Sequence, residues 1–253
     1  MDKNVALALI LTALAGLSTT FGSLLGLVFR KPGHRFMSAT LGFSAGVMVM
    51  VSFVELLQGG IESIGFAYAQ LGFFAGIIFI FLIDYYLPHE SAGHQDLSDA
   101  QKETKLLRTS VLVALGIGIH NFPEGMATFA GTLKDTHLGA AIAVAIAIHN
   151  IPEGLAVSAP VYAATHSRGK AFLWSFLSGV AEPVGAGIAA VFLLPFLTPA
   201  LLGWLLAFVA GVMVFIAFDE LVPTSFSYNQ GHIAIGGVVL GMAVMSLSLW
   251  LLR

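Results

Sequence analysis

The chain has 253 residues, of which 57% are hydrophobic and only 10% charged, with a net charge of −3 and no cysteine. Soluble domains carry about 25% charged residues, so this chain cannot cover its own surface with polar groups and reads as an integral membrane protein. The mild acidity argues against a nucleic-acid partner, and the lack of thiols excludes disulfides and thiolate metal sites.

Eight apolar runs follow in chain order, at about 4–29, 36–58, 66–87, 107–132, 139–163, 169–194, 198–224 and 231–252. Each is long enough to cross about 30 Å of hydrocarbon. The fold class is therefore an all-α integral membrane protein, an eight-helix transmembrane bundle with residues 1–253 as a single domain. The first run begins at once and is followed by no small-residue cleavage site, so it reads as an uncleaved span. Only residues 88–106 form a sustained polar stretch, expected to be a surface loop. Placing both termini outside puts Arg30, Lys31, Arg35, Lys102, Lys105, Arg108, Arg168 and Lys170 inside, leaving only Lys3, Lys134 and Arg253 outside. That bias orients the chain and makes the 88–106 loop cytoplasmic.

Two repeats cross this pattern. Residues 45–56 read AGVMVMVSFVEL and residues 210–221 read AGVMVFIAFDEL, identical at eight of twelve positions. The second and seventh spans run in opposite directions, which predicts an inverted repeat relating spans 1–3 to spans 6–8 around spans 4–5. Within that central pair, residues 120–125 read HNFPEG and residues 149–154 read HNIPEG.

These duplicated segments fall at mid-span, where an acidic or basic side chain costs about 2.5–3.5 kcal/mol. A divalent cation offsets that cost, because it favours carboxylate anions and accepts neutral imidazole. His120, Asn121 and Glu124 lie three and four residues apart on one helix face, as do His149, Asn150 and Glu153. Two such faces supply six ligands, more than the four that zinc takes in a closed site. Two ions sharing bridging carboxylates, or one ion moving between overlapping ligand sets, would both use them. Pro123 and Pro152 cannot donate to the carbonyls of Ile119 and Ile148, which predicts kinks that free backbone oxygens beside the ligands. In the sixth span, Glu182 precedes Pro183 and is a further candidate ligand. Glu55, Asp219 and Glu220 near span ends are candidates for the entrance and exit of a cation pathway. Asp84 beside two tyrosines reads as an interface anchor, and Met48 and Met213 read as packing residues.

With these motifs, and with SGVAEPVGA at 178–186, the chain resembles the ZIP (zinc/iron-transporter-like) family along its whole length, and above all its bacterial zinc transporters. The resemblance implies eight spans, both termini outside in the inner membrane, dimers, and metal uptake into the cytoplasm by elevator-like alternating access. It implies a binuclear centre in spans 4–6. His120, Glu124, His149 and Glu153 match one metal position; Asn121, Glu124, Asn150, Glu153 and Glu182 match the other. Many relatives carry His-rich cytoplasmic loops, whereas here only His89 and His94 fall in that loop. Zinc leads as the cargo because of the histidines and the resemblance, with iron(II), manganese, cobalt and cadmium as further expected substrates. No other cofactor is expected. The competing readings are an intramembrane zinc enzyme and a metal-binding receptor. For the enzyme, the nearest string to H-E-x-x-H is HESAGH at 89–94, one residue too long.

Overall fold

The computed structural model describes residues 3–29, 33–86, 99–196 and 198–252. Eight long helices account for nearly all of them: α1 (Lys3–Phe29), α2 (His34–Ile64), α3 (Phe66–Tyr86), α4 (Asp99–Lys134), α5 (Thr136–Thr165), α6 (Arg168–Ile188), α7 (Pro199–Ser227) and α8 (Gly231–Leu252). Seven of them, all but α4, are long and apolar enough to cross a membrane as judged on the described residues. The expected loop at 88–106 is partly helical, since α4 begins at Asp99, eight residues before the apolar run. The stretch Asp99–Leu106 is rich in Ala, Gln, Lys, Glu and Leu, which favour helix on propensity alone, and hydropathy cannot register that. The remainder of that loop, with the HESAGH string, lies outside the described residues.

Short connections hold the helices close. Asp135, Ser167 and Thr198 cap α5, α6 and α7 by accepting hydrogen bonds from the amides of Leu138, Lys170 and Leu201 at 2.9, 3.3 and 3.1 Å. Each satisfies an amide that the first helical turn leaves unpaired. The α2–α3 corner turns on Gly65, whose φ of 81° suits glycine alone.

Both helices that carry the AGVMV segment contain a single π turn in the same register, Ser52–Leu56 in α2 and Ala217–Leu221 in α7. One extra residue is accommodated there, which re-aims the acidic side chains of Glu55 and Glu220 relative to a regular helix. α6 is continued by a π turn, Ala189–Leu193. The helices run unbroken through Pro123, Pro152, Pro160 and Pro183.

Packing divides the helices into two sets. In the first, α1 lies against α5 and α6, and α4 lies against the same two helices; in the second, α2 lies against α8 and α3 against α7, with the last turns of α2 also on α7. Backbones touch within each set. A Cβ at Gly154 would land on the carbonyl of Thr19, at Gly185 on Phe122 and at Gly125 on Glu182; in the second set, Gly46 faces Val238 and Gly211 faces Phe73 in the same way. Small residues allow this close approach, the main source of helix association in lipid. The contacts between sets, α2 with α5 and α4 with α7, are thinner. Met48 and Met213 are fully buried in the largest apolar cluster, together with Leu41, Leu206 and Ile216.

Candidate metal centre

The HN-x-PEG turns of α4 and α5 face each other across the middle of the first helix set. His120 Nε2 lies 3.4 Å from Glu153 Oε2, and His149 Nε2 lies 3.5 Å from Glu124 Oε1. The histidine of each motif thus meets the glutamate of the other. All four side chains, with Asn121, Asn150 and Glu182, are at most 1% exposed.

The two asparagines serve as fixed anchors. Asn121 Nδ2 donates to the carbonyl of Ser178 on α6 at 3.1 Å, and Asn150 Nδ2 donates to the carbonyl of Ala15 on α1 at 3.1 Å. Asn150 also donates to Glu182 Oε1, which joins α6 to the cluster. Anchored in this way, each amide turns its oxygen away from the bond it makes. Neither Asn121 Oδ1 nor Asn150 Oδ1 has a hydrogen-bond partner.

The same is true of both Glu124 oxygens, Glu153 Oε1, Glu182 Oε2, His120 Nδ1 and both ring nitrogens of His149. A buried acceptor left without a hydrogen bond costs about 1–3 kcal/mol, and more when charged. So many on three neighbouring helices is a large cost for a structural cluster. Imidazole, carboxylate and amide oxygens together are donors that suit a borderline divalent cation such as zinc. Among the described residues, no three His or acidic side chains form a ready-made metal triad. The groups stand as two facing pairs, with Glu182 attached through Asn150.

The remaining candidates separate to the two ends. Glu55 lines a cleft of about 230 Å³ with Gln58, Glu62, Lys134 and Asp135. Lys134 Nζ spans that cleft, donating to the Gly59 carbonyl at 3.2 Å and to Ser63 Oγ at 2.9 Å. It therefore ties α4 of the first set to α2 of the second. At the other end, Glu220 shares a void of about 10 Å³ with Asp84, one turn of α4 away from His120. Gly116 makes room there, since its Cβ would stand 3.2 Å from Glu220 Oε1. Asp219 next to Glu220 is exposed and lies away from this void.

Several neighbours of the cluster were not singled out from the sequence. Ser44 of α2 donates to the carbonyl of His149 at 3.2 Å, and the hydroxyls of Thr19, Ser23 and Thr128 are buried without a partner. A readable signal existed for α1, where Gly16, Thr19, Ser23 and Gly26 place small residues every three or four positions. Thr128 lies one turn beyond Glu124. No pattern foretold Ser44, because it acts on a backbone atom of a distant span.

Comparison with known proteins gives a consistent result. The profile of the family described as ZIP Zinc transporter matches residues 85–249. The protein named Zinc transporter ZupT in Chlorobium luteolum is 47% identical, over 99% of each chain. Its namesakes in Chlorobium phaeovibrioides and Streptococcus mutans are 50% and 47% identical, over 97% and 99% of each chain. A match of this extent, joined to a helical bundle with the duplicated HN-x-PEG turns at its centre, shows that the chain belongs to the ZIP zinc transporter family.

Proposed function

We propose that the protein is a multi-pass transporter that carries zinc into the cytoplasm across the inner membrane, with iron(II), manganese, cobalt and cadmium as further substrates. The observation that carries this reading is the cross-facing of His120 with Glu153 and of His149 with Glu124, buried at mid-span with most of their donor atoms unpartnered. In this reading the cargo binds between α4, α5 and α6. His120, Glu124, His149 and Glu153 form one position; Asn121, Asn150 and Glu182 join the two glutamates in a second. Glu124 and Glu153 bridge the two, so that a binuclear site forms as the facing pairs open around the ions.

Alternating access follows from the two helix sets moving past one another. The glycine contacts support it, because backbone-to-backbone approach joins helices within each set. The matched π turns in α2 and α7, with α2–α8 packing mirrored by α7–α3 packing, support an inverted repeat as the origin of the two sets. The whole chain then works as one transporter domain. Both termini face outward, the loop expected at about 88–106 faces the cytoplasm, and two copies associate. Glu55 marks the outer mouth, with Glu220 and the exposed Asp219 on the inner path.

Saturable zinc uptake into proteoliposomes holding the purified protein is the expected result. Zinc bound but never moved would instead favour the receptor reading, and zinc-dependent turnover of a membrane substrate the enzyme reading.

Two finer outcomes belong here. Glu182→Gln keeps a hydrogen-bond acceptor for Asn150 and removes only the charge. It should lower uptake or shift metal preference by at least about tenfold, since even an outer partner of a metal ligand contributes that much; an unchanged profile for zinc, iron and cadmium would remove Glu182 from the site. Lys134→Met breaks two hydrogen bonds to neutral acceptors, together worth on the order of 1 kcal/mol. In this cysteine-free chain, a Val54→Cys reporter in the cleft should then react a few-fold faster with an impermeant maleimide. An unaltered rate would deny Lys134 any role in holding the sets together.

A further inference from the structure

The face of α4 and α6 opposite the buried cluster is concave. Gly118, Phe122 and Met126 of α4 and Ala181 of α6 form one wall of a groove of about 580 Å³, and Phe79 of α3 and Phe208 of α7 form the other. Every residue lining it is apolar or glycine. It lies at mid-span, since Phe122 and Pro123 separate Asn121 from Glu124 and Ala181 precedes Glu182. Its rim is open, with Leu115, Leu177 and Val184 46%, 49% and 47% exposed.

Helix packing does not require the hollow. A Cβ at Gly118 would meet only Ser178 Cα, at 3.7 Å, an ordinary contact distance. The missing side chain leaves space rather than permitting a backbone contact, unlike the glycines that join the helices within each set.

We propose that this groove binds one acyl chain of a bilayer lipid. Water is excluded by the apolar lining and by depth, and no polar group is present to hold a headgroup or a peptide backbone. The volume falls within the range of about 300–1,000 Å³ typical of small-ligand pockets. A hydrocarbon chain is the occupant that is narrow, apolar and present at this depth. Its walls belong to both helix sets, so a seated chain is a wedge between α4–α6 and α3–α7; this consequence, unlike the binding itself, rests on the two-set transport reading.

The test uses proteoliposomes of phosphatidylcholine doped with a phosphatidylcholine carrying a mid-chain diazirine. After illumination, label should concentrate on residues 115–126 and 177–184, well above the lipid-facing residues Val239 and Leu240. Filling the groove with Gly118→Leu, or separately with Ala181→Leu, should lower that labelling several-fold while leaving labelling of α8 unchanged. Equal labelling of the groove and of α8 in the wild type would overturn the site, and so would labelling weaker than that of α8, which would show the groove covered by a second copy. Labelling needs no transport, so its outcome stands apart from that of the uptake assay. Zinc uptake should then fall in proportion to label incorporated, and undiminished uptake at full labelling would overturn the wedge role.

Discussion

Replacing Glu124 and Glu153 together by alanine should abolish zinc uptake in proteoliposomes, while the protein should still insert and purify as a folded species. Each glutamate faces the histidine of the other motif at 3.4–3.5 Å, and each would serve both metal positions. What remains is neutral amide oxygen, fixed through its nitrogen by Ser178 and Ala15, and the single carboxylate of Glu182 in place of three. Removing an outer partner of a metal ligand already lowers affinity by about 10–100-fold, and losing two ligands should exceed the top of that range. Folding should survive, since the histidines left behind can stay neutral, and a neutral ring is far cheaper to bury than an unpaired charge. Zinc-65 uptake, with isothermal titration of zinc on the purified variant, checks both parts. Uptake at the wild-type rate would place the path elsewhere in the bundle.

A second large effect is expected at a position with no donor atom. Gly154→Val should prevent accumulation of folded protein, because its Cβ would strike the Thr19 carbonyl on α1. That atom is backbone, and no rotamer change can relieve the clash. Ordinary overpacking costs about 1–3 kcal/mol, and forcing apart α1 and α5 along a fully packed contact should cost more. Gly236 is the matched control, since nothing lies within 4 Å of a Cβ there. Gly236→Val should express and extract like the wild type, as judged by size-exclusion chromatography in detergent. Equal yields from the two variants would mean that the α1–α5 backbone contact does not hold the first helix set together.

The legible part of the protein was the part written in hydropathy and in duplicated polar strings. Eight runs of hydrocarbon-spanning length became eight long helices, since a backbone in lipid must satisfy its hydrogen bonds internally and helix is the local way to do so. Their limits were less legible. Helix α4 begins in polar sequence, where propensity rather than hydropathy sets the start, and α2 runs on to Ile64 until Gly65 turns the chain.

The candidate site was legible in its members because charge at mid-span is costly and therefore conspicuous, and because helical spacing puts His120 with Glu124 and His149 with Glu153 on one face each. Which partner each would meet was not legible. The crossed pairing of histidine and glutamate, the anchoring of Asn121 on α6 and Asn150 on α1, and the link from Asn150 to Glu182 depend on how four helices are rotated about their axes. The sequence by itself determined the spans, the composition of the cluster and its depth, since those follow from the cost of moving each side chain out of water. Only the tertiary structure decided the division into two helix sets, the Lys134 bridge across them and the groove at their junction, because these arise where backbones from distant spans meet and local periodicity says nothing of the meeting.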